Sequence, residues 1–444
     1  MDNTLNTYSK VWRVAYPIII GLVAQNIMLV IDTAFLGQLG AVTLGAAAIG
    51  GVFYLCLMML GIGFSVGIQI LVGRRNGERK YRQIGIIMMH SFYAILFIAS
   101  LSFIFIMFIA PVFLETFINS NAVLNESLIF LSYRKFGLFF GFLVLAFNSM
   151  YIGTVKTSIV SISTIIMAVV NVVLDYGLIF GNLGLPEMGI AGAALATNIA
   201  EVTTLTFYVI YSLSFKVFKK YKLFSILIIS KPIINRLLKL SVPVMFQYFL
   251  SFAAWFVFFL IIEKKGEIPL AASNIARSIY MVLMIPVWGL SSSVNSIVSN
   301  IIGEGKINLV LPTIKKVIII SVLCSIIMIA FPLLFPVTVV SFYTYDASII
   351  EATIPLIYVI SIAMLVFSVS MIIFSGLSGT GKTMVALKIE IICILSYLLI
   401  AYVIAVVFRA STPVVWIVEI IYFCLIGSFS AYYLLKGNWK NLKI

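Results

Sequence analysis

The chain has 444 residues, of which 63% are hydrophobic and 10% are charged, and its mean hydropathy is +1.18. Soluble domains carry about 25% charged residues, so this composition excludes an ordinary soluble protein and indicates an integral membrane protein. A net charge of +14 would favour nucleic-acid binding in a soluble chain. Here the basic residues fall in short segments between apolar runs, where they orient a membrane protein, and we expect the lipid bilayer as its surroundings and no nucleic-acid partner.

Twelve apolar runs are long enough to cross a membrane, since a helical span needs about 20 apolar residues. The sequence therefore predicts an all-α integral membrane fold with twelve transmembrane helices. The predicted spans are 14–36, 44–72, 84–110, 130–152, 158–180, 189–214, 239–262, 270–298, 312–337, 352–377, 384–408 and 413–435.

Lys and Arg collect after every even-numbered predicted helix, which places those segments in the cytoplasm by the positive-inside rule. The intervening segments 37–43, 111–127, 181–188 and 338–351 contain no Lys or Arg. We therefore expect a multi-pass protein of the inner (plasma) membrane with both termini in the cytoplasm. The basic residues are Arg74, Arg75, Arg79, Lys80, Arg82, Lys156, Lys216, Lys219, Lys220, Lys222, Lys231, Arg236, Lys306, Lys315, Lys316, Lys382, Lys436, Lys440 and Lys443.

The sequence also repeats itself at an offset of 226 residues. Matched pairs at this offset include Pro17 and Pro243, Gly63 and Gly289, and Glu78 and Glu304. Each half holds six predicted helices, so the halves share one orientation and are related by a pseudo-twofold axis along the membrane normal. The sequence predicts an N-terminal six-helix lobe at 1–214, a cytoplasmic linker at 215–238 and a C-terminal six-helix lobe at 239–444. Two like bundles are the arrangement expected of an alternating-access carrier.

The first predicted helix carries a carboxyl group, Asp32, within an apolar run. An ionisable residue inside a span usually faces a partner, a cavity or a passing ion, and so it marks a transport site. Gln25 lies seven residues earlier on the same helix face, and Pro17 removes a backbone hydrogen bond, which predicts a bend or hinge. The alternative is that Asp32 is a helix-end acid near the outer surface, stabilised by solvent.

Further polar groups follow in the fourth, fifth and sixth predicted helices. Asn171 and Asp175 are four residues apart and share one helix face. Two carboxylates brought together in a low-dielectric space share a proton or attract a cation, and oxygen ligands suit a hard cation such as sodium. Glu201 is either a third acid of this group or a packing acid paired with a nearby hydroxyl. The remaining candidates are Asn148, Thr197 and Asn198.

The second half lacks the corresponding acids, because Phe258 stands at the repeat position of Asp32 and Ala401 at that of Asp175. Its helices are rich in aromatic residues and Met, with Ser251 as an isolated polar group. An apolar lining of this kind suits an amphipathic ligand, although aromatic residues in membrane helices also pack together or face lipid.

The segment 376–383 matches the spacing GxxxxGK[ST] of a phosphate-binding loop. That motif needs a preceding strand of an α/β sheet, whereas a predicted membrane helix precedes it here. We interpret the segment as a cytoplasmic turn anchored by Lys382 and expect no nucleotide binding.

Three motifs together resemble the multidrug and toxic compound extrusion (MATE) transporters over essentially the whole chain. They are P-x7-Q-x6-D in the first helix, N-x3-D in the fifth and GAALAT at the start of the sixth. In the branch with archaeal and DinF-like members, the resemblance implies a cation site made of a first-helix Asp, a fifth-helix Asn and Asp, and a sixth-helix Thr. The matching residues here are Asp32, Asn171, Asp175 and Thr197, with Gln25 and Asn148 beside the site and a first-helix bend at Pro17.

Another branch of that family carries an acidic sodium site in its second half. Here Ser251 replaces its seventh-helix Glu, and the span 352–377 contains no acid. If the resemblance holds, the coupling residues should lie in the first half only.

The resemblance implies a secondary active antiporter, and not an enzyme, that exports amphipathic or cationic organic compounds in exchange for H+ or Na+. We expect it to need no cofactor and to act as a monomer. A flippase for lipid-linked sugars from the same superfamily is the alternative, but it should need a more cationic cleft for pyrophosphate. An ATP-driven pump that uses 376–383 is a third hypothesis, from another class.

Overall fold

The computed structural model describes residues 7–223 and 230–440, which form helices and their connections without a β-strand. Residues 1–6, 224–229 and 441–444 lie outside the described residues. Part of the predicted linker 215–238 and the basic residue Lys443 therefore also lie outside them.

Twelve helices are long and apolar enough to cross a membrane, which confirms the predicted fold class. They are α1 (Tyr8–Gln38), α2 (Ala41–Gly77), α3 (Tyr81–Phe108), α4 (Asn121–Gly153), α5 (Thr157–Phe180), α6 (Gly189–Ser214), α7 (Lys231–Glu263), α8 (Glu267–Gly303), α9 (Val310–Leu334), α10 (Ala347–Gly379), α11 (Thr383–Tyr402) and α12 (Thr412–Lys436). Shorter elements are Ala110–Phe117, Val217–Tyr221, Ile307–Leu309, Pro336–Ser341 and a π-helical extension of α11, Val403–Val407.

Helix α4 differs most from its predicted bounds. It begins at Asn121 and not at residue 130, because the side chain of Ser120 caps it by accepting a hydrogen bond from the backbone N–H of Val123. Arg134 lies in the middle of this helix and is buried.

The chain divides into two compact units, a first unit of residues 20–245 and a second unit of residues 1–19 and 246–444. In the first unit α2 packs against α4, and in the second unit α8 packs against α10. These are equivalent helices of the two repeats. The units differ from the predicted lobes 1–214 and 239–444, because the first parts of α1 and α7 each join the unit formed mainly by the other half.

Two glycines allow this exchange. A Cβ atom on Gly63 of α2 would lie 2.5 Å from the Cα atom of Met245, and one on Gly289 of α8 would lie 2.5 Å from the side chain of Ile19 and 3.2 Å from its backbone nitrogen. Gly63 and Gly289 are repeat partners, as are Met245 and Ile19. The same close helix approach thus occurs once in each unit, in keeping with the small residues found where membrane helices pack.

The glycine-rich segment 376–383 forms the end of α10 and the turn into α11. A helix therefore precedes it, and not the strand that a phosphate-binding loop needs. Gly381 has a φ of 91°, and its repeat partner Val155, in the turn after α4, has a φ of 62°. Turn geometry accounts for the glycine, since a left-handed backbone is unstrained for Gly and strained for a β-branched residue.

Replacing Gly63 by Val should destabilise the protein, because the added side chain would have to occupy the space of the α7 backbone. Overpacking of this kind costs about 1–3 kcal/mol or more, which should lower the midpoint of thermal unfolding in detergent micelles. Gly51→Val is the matched control on the same helix, since a Cβ there meets nothing within 4 Å. Equal midpoints for the two variants would contradict the packing described above.

Candidate functional site

Two acids meet in the first unit. Asp32 of α1 and Asp175 of α5 lie within hydrogen-bonding distance of each other; Asp175 is fully buried and Asp32 is partly buried. This placement does not agree with the alternative of Asp32 as a solvated helix-end acid. Two carboxyl groups at this range in a low-dielectric interior do not both ionise without a counter-charge, so they share a proton or hold a cation.

The amide of Asn171 lies between these acids, one helical turn before Asp175. With its nitrogen toward the acids, it donates to Asp32 Oδ1 at 2.8 Å and to Asp175 Oδ2 at 3.2 Å, and its oxygen lies 3.2 Å from Thr197 Oγ1 of α6. The Thr197 hydroxyl also donates to the carbonyl oxygen of Ala193 at 2.9 Å. The four residues expected to bind the coupling ion thus form one cluster, drawn from α1, α5 and α6.

Every ligand atom that the cluster offers to a cation is an oxygen. Asp175 Oδ1 is buried and has no hydrogen-bond partner in the described part of the chain, so it is available to an ion. Oxygen ligands favour hard cations over transition metals, and residues 7–223 and 230–440 contain no group of three or more His, Cys, Asp or Glu side chains that could hold a metal. The residues present fit H+ or Na+.

A buried ion pair lies beside this cluster. Arg134 of α4 donates through Nη2 to Glu201 Oε1 of α6 at 3.0 Å and through Nη1 to Asn198 Oδ1 at 2.5 Å. Its guanidinium group lies over the ring of Tyr54, 4.0 Å from the centroid. The positive charge of Arg134 is also close enough to act on Asp32. The site therefore has a fixed cation nearby whose own charge is largely balanced by Glu201.

Glu201 and Asn198 consequently belong to the ion pair. The expected partner of a packing Glu201 was a hydroxyl, and this is wrong: the partner is a guanidinium group. In the described structure neither residue has a hydrogen bond to the acid pair. Arg134 was not predicted as a site residue, although an arginine inside a span almost always pairs with another group and Glu201 was the available acid.

The remaining candidates make none of the cluster's hydrogen bonds. Gln25 is exposed on α1, and Pro17 is buried in the part of α1 that belongs to the second unit. Asn148 of α4 accepts a hydrogen bond from the buried hydroxyl of Tyr208 of α6, which in turn accepts from Ser163 of α5 at 2.6 Å. Tyr208 thus joins three helices and was not anticipated. The functional roles of Gln25, Asn148 and Pro17 remain predictions.

Twelve spanning helices, an internal repeat and an acid pair held by an amide within the spans define a membrane transporter. The MatE family model matches residues 17–177 and 243–403, two segments separated by the same 226-residue offset. The chain belongs to the MatE family.

Named relatives and solved structures agree with this assignment. The chain is 24% identical over 439 residues to a probable multidrug resistance protein NorM of Thermotoga maritima, covering 97% of this chain and 92% of that protein. It is 24% identical over 388 residues to a probable NorM of Pasteurella multocida, covering 86% and 83%.

Among solved structures, a MOP superfamily transporter from Pyrococcus furiosus superposes with a TM-score of 0.89 at 20% identity, covering 96% of this chain and 95% of that one. A MATE transporter of Vibrio cholerae superposes with a TM-score of 0.88 at 15% identity, covering 98% of each chain. At these identities the superpositions establish the fold alone.

Replacing Glu201 by Gln should destabilise the protein by about 3–5 kcal/mol, because the buried Arg134 loses its counter-charge. The double variant Arg134→Met/Glu201→Leu removes both charges and should recover much of the lost stability. Thermal unfolding in micelles measures both effects, with Glu115→Gln as an exposed-acid control. A double variant no more stable than Glu201→Gln would show that charge balance is not what the pair supplies.

Proposed function

We propose that this protein is a secondary active antiporter that exports amphipathic, cationic organic compounds in exchange for H+ or Na+ by alternating access. One observation carries the proposal: Asp32 and Asp175, from two different helices, meet around the amide of Asn171 within the membrane-spanning part of the chain. The class of compound is drawn from relatives whose names describe multidrug resistance.

Exchange follows from competition for the same negative charge. With a proton or sodium ion bound, the acid pair of Asp32 and Asp175 is neutralised and has little attraction for an organic cation. Once the ion leaves, the ionised pair favours a cationic compound, since an uncompensated charge inside a membrane seeks a partner. Ion and substrate then bind alternately, which is the linkage that antiport requires.

Alternation needs the two occupied states to favour different conformations, because a ligand shifts an equilibrium only by its differential affinity. Helix α1 carries Asp32 and contributes residues to both units. Ion binding at Asp32 would therefore change the contacts of α1, and α1 would transmit this change to both units. Pro17 is the position at which α1 would bend.

A flippase for lipid-linked sugars is less well supported. Such a carrier needs cationic groups for pyrophosphate, whereas the buried Arg134 is already bonded to Glu201 and Asn198. An ATP-driven pump has no support in the segment 376–383, which follows a helix. We further propose that the antiporter lies in the inner membrane as a monomer, with both termini in the cytoplasm and no cofactor.

Everted membrane vesicles test the proposal when ethidium is added outside as the probe, because their outer face is the cytoplasmic face and export appears as uptake. Asp32→Asn and Asp175→Asn should each reduce gradient-driven ethidium transport to the background of vesicles without the protein, because an amide cannot take up the charge of the coupling ion. Glu115→Gln is the matched control, since Glu115 is exposed on the helix Ala110–Phe117 and its substitution should leave transport unchanged.

The same vesicles identify the ion when a sodium gradient and a proton gradient are imposed separately. Transport should respond to one of them in the wild type and to neither in the two variants. Full activity of both Asp32→Asn and Asp175→Asn would rule out the mechanism.

A further inference from the structure

Two carboxyl groups are buried in the second unit, where no ionisable site was expected. Glu390 of α11 is 4% exposed and Glu419 of α12 is 1% exposed. Within the described residues neither acid forms an ion pair with Lys, Arg or His. An isolated carboxylate at such depth is strongly unfavourable, so each group must be neutralised in another way.

Both acids accept hydrogen bonds from hydroxyl groups, and two of the tyrosines that donate to them are in contact. Tyr397 donates to Glu419 Oε1 at 2.8 Å, and Tyr422 donates to Glu390 Oε1 at 2.6 Å. Ser251 of α7 also donates to Glu390 Oε1, at 2.7 Å. The rings of Tyr397 and Tyr422 are in contact, with centroids 5.2 Å apart. The two acids therefore belong to one buried network of α7, α11 and α12.

The internal repeat places this network at the counterpart of the acid cluster in the first unit. Tyr397 stands at the repeat position of Asn171, and Phe258 stands at that of Asp32. The rings of Phe258 and Tyr397 pack with centroids 5.5 Å apart. Phe258 and Tyr397 thus stand where the first unit has Asp32 and Asn171. The carboxyl group beside them comes from a different helix, because it belongs to Glu419 of α12, which accepts a hydrogen bond from Tyr397.

Two buried polar atoms in this region have no hydrogen-bond partner in the described part of the chain. They are Glu419 Oε2 and the hydroxyl of Tyr280 of α8. Tyr280 is fully buried, and it is close enough to Glu419 to feel its charge. Trp255 of α7 also faces Glu419. Buried polar atoms are rarely left unpaired, so Glu419 Oε2 and the Tyr280 hydroxyl mark a position that a carboxyl proton would satisfy.

The surrounding groups favour a proton over a metal ion. Tyr422 and Ser251 donate to Glu390 Oε1, and Tyr248 and Cys393 lie close enough to feel the charge of Glu390. The groups that face Glu419 are Tyr397, Trp255, Tyr280 and Tyr422. Because neutral hydrogen-bond donors already contact the two acids, the acids do not require a metal ion. Ser251 and Tyr422 are only partly buried, so the hydroxyl groups at the Glu390 end of the network reach the surface of the second unit.

We propose that Glu390 and Glu419 form a second, reversible proton-binding site, located in the second unit and loaded independently of Asp32 and Asp175. This site does not depend on the proposed antiport, because proton binding by these acids is defined by their own surroundings. It would give the chain one ionisable site in each repeat, built from different helices.

Infrared spectroscopy of the purified protein in lipid tests this site, because a protonated carboxyl group has a C=O absorption that shifts in D2O. The Asp32→Asn/Asp175→Asn background removes the first pair from the spectrum. In that background we expect a protonated-carboxyl absorption at neutral pH that fades reversibly as the pH is raised. Glu390→Gln and Glu419→Gln should each remove part of it, and the two together should remove it entirely.

Two further variants control for folding and for unrelated acids. Glu351→Gln changes an exposed acid of α10 in the same unit and should leave the absorption unaltered. Tyr397→Phe keeps the ring but removes the hydrogen bond to Glu419, so it should shift the frequency of the absorption without abolishing it. A merely structural contact would not produce that shift.

Two results would overturn the proposal. One is a spectrum of the Asp32→Asn/Asp175→Asn background without protonated carboxyl groups that depend on Glu390 or Glu419. The other is an absorption that keeps its intensity at every pH, which would show permanently neutral acids. Both outcomes are independent of transport, so they differ from a failure of the ethidium experiment.

Discussion

The free energy needed to hold a carboxyl group inside a membrane governs this structure. Each buried acid must be neutralised, and the chain does this in three ways. Asp32 and Asp175 meet around the amide of Asn171, where one proton or cation would neutralise them; Glu201 binds the guanidinium group of Arg134; and Glu390 and Glu419 accept hydrogen bonds from hydroxyl groups. Only the first and third arrangements leave the acid free to exchange its proton or cation, and these are the two arrangements assigned to ion binding.

The two repeats have kept their packing and changed their chemistry. Close helix approaches at Gly63 and Gly289 occur at equivalent positions, against Met245 and Ile19, because any added side chain would separate the helices. The polar side chains of the two units do not take part in these close helix approaches. Repeated helices therefore provide one scaffold twice, while one copy carries an acid pair on α1 and α5 and the other carries acids on α11 and α12.

Much of the fold could be predicted because membrane spans leave a strong signal in composition, and the repeat offset relates the two halves. Spacing predicted that Asn171 and Asp175 share a helix face and marked Asp32 as an acid in an apolar run, and the resemblance to the MATE transporters implied that these residues form one site. Partners on different helices could not be predicted by spacing: nothing local links Arg134 to Glu201. Glu390 and Glu419 were missed because they occupy helices where the first repeat has no acid, and comparing equivalent positions cannot reveal a site that has moved.

The central claim is that Asp32 and Asp175 together bind one coupling ion. Direct binding measurements on the purified protein test it best: sodium binding by calorimetry, and proton uptake by a pH-sensitive dye when the pH is lowered. In a Glu390→Gln/Glu419→Gln background, which removes the second proposed site, the account predicts one binding event that is lost in Asp175→Asn and retained in Glu115→Gln. Identical ion binding by the wild type and Asp175→Asn would contradict it.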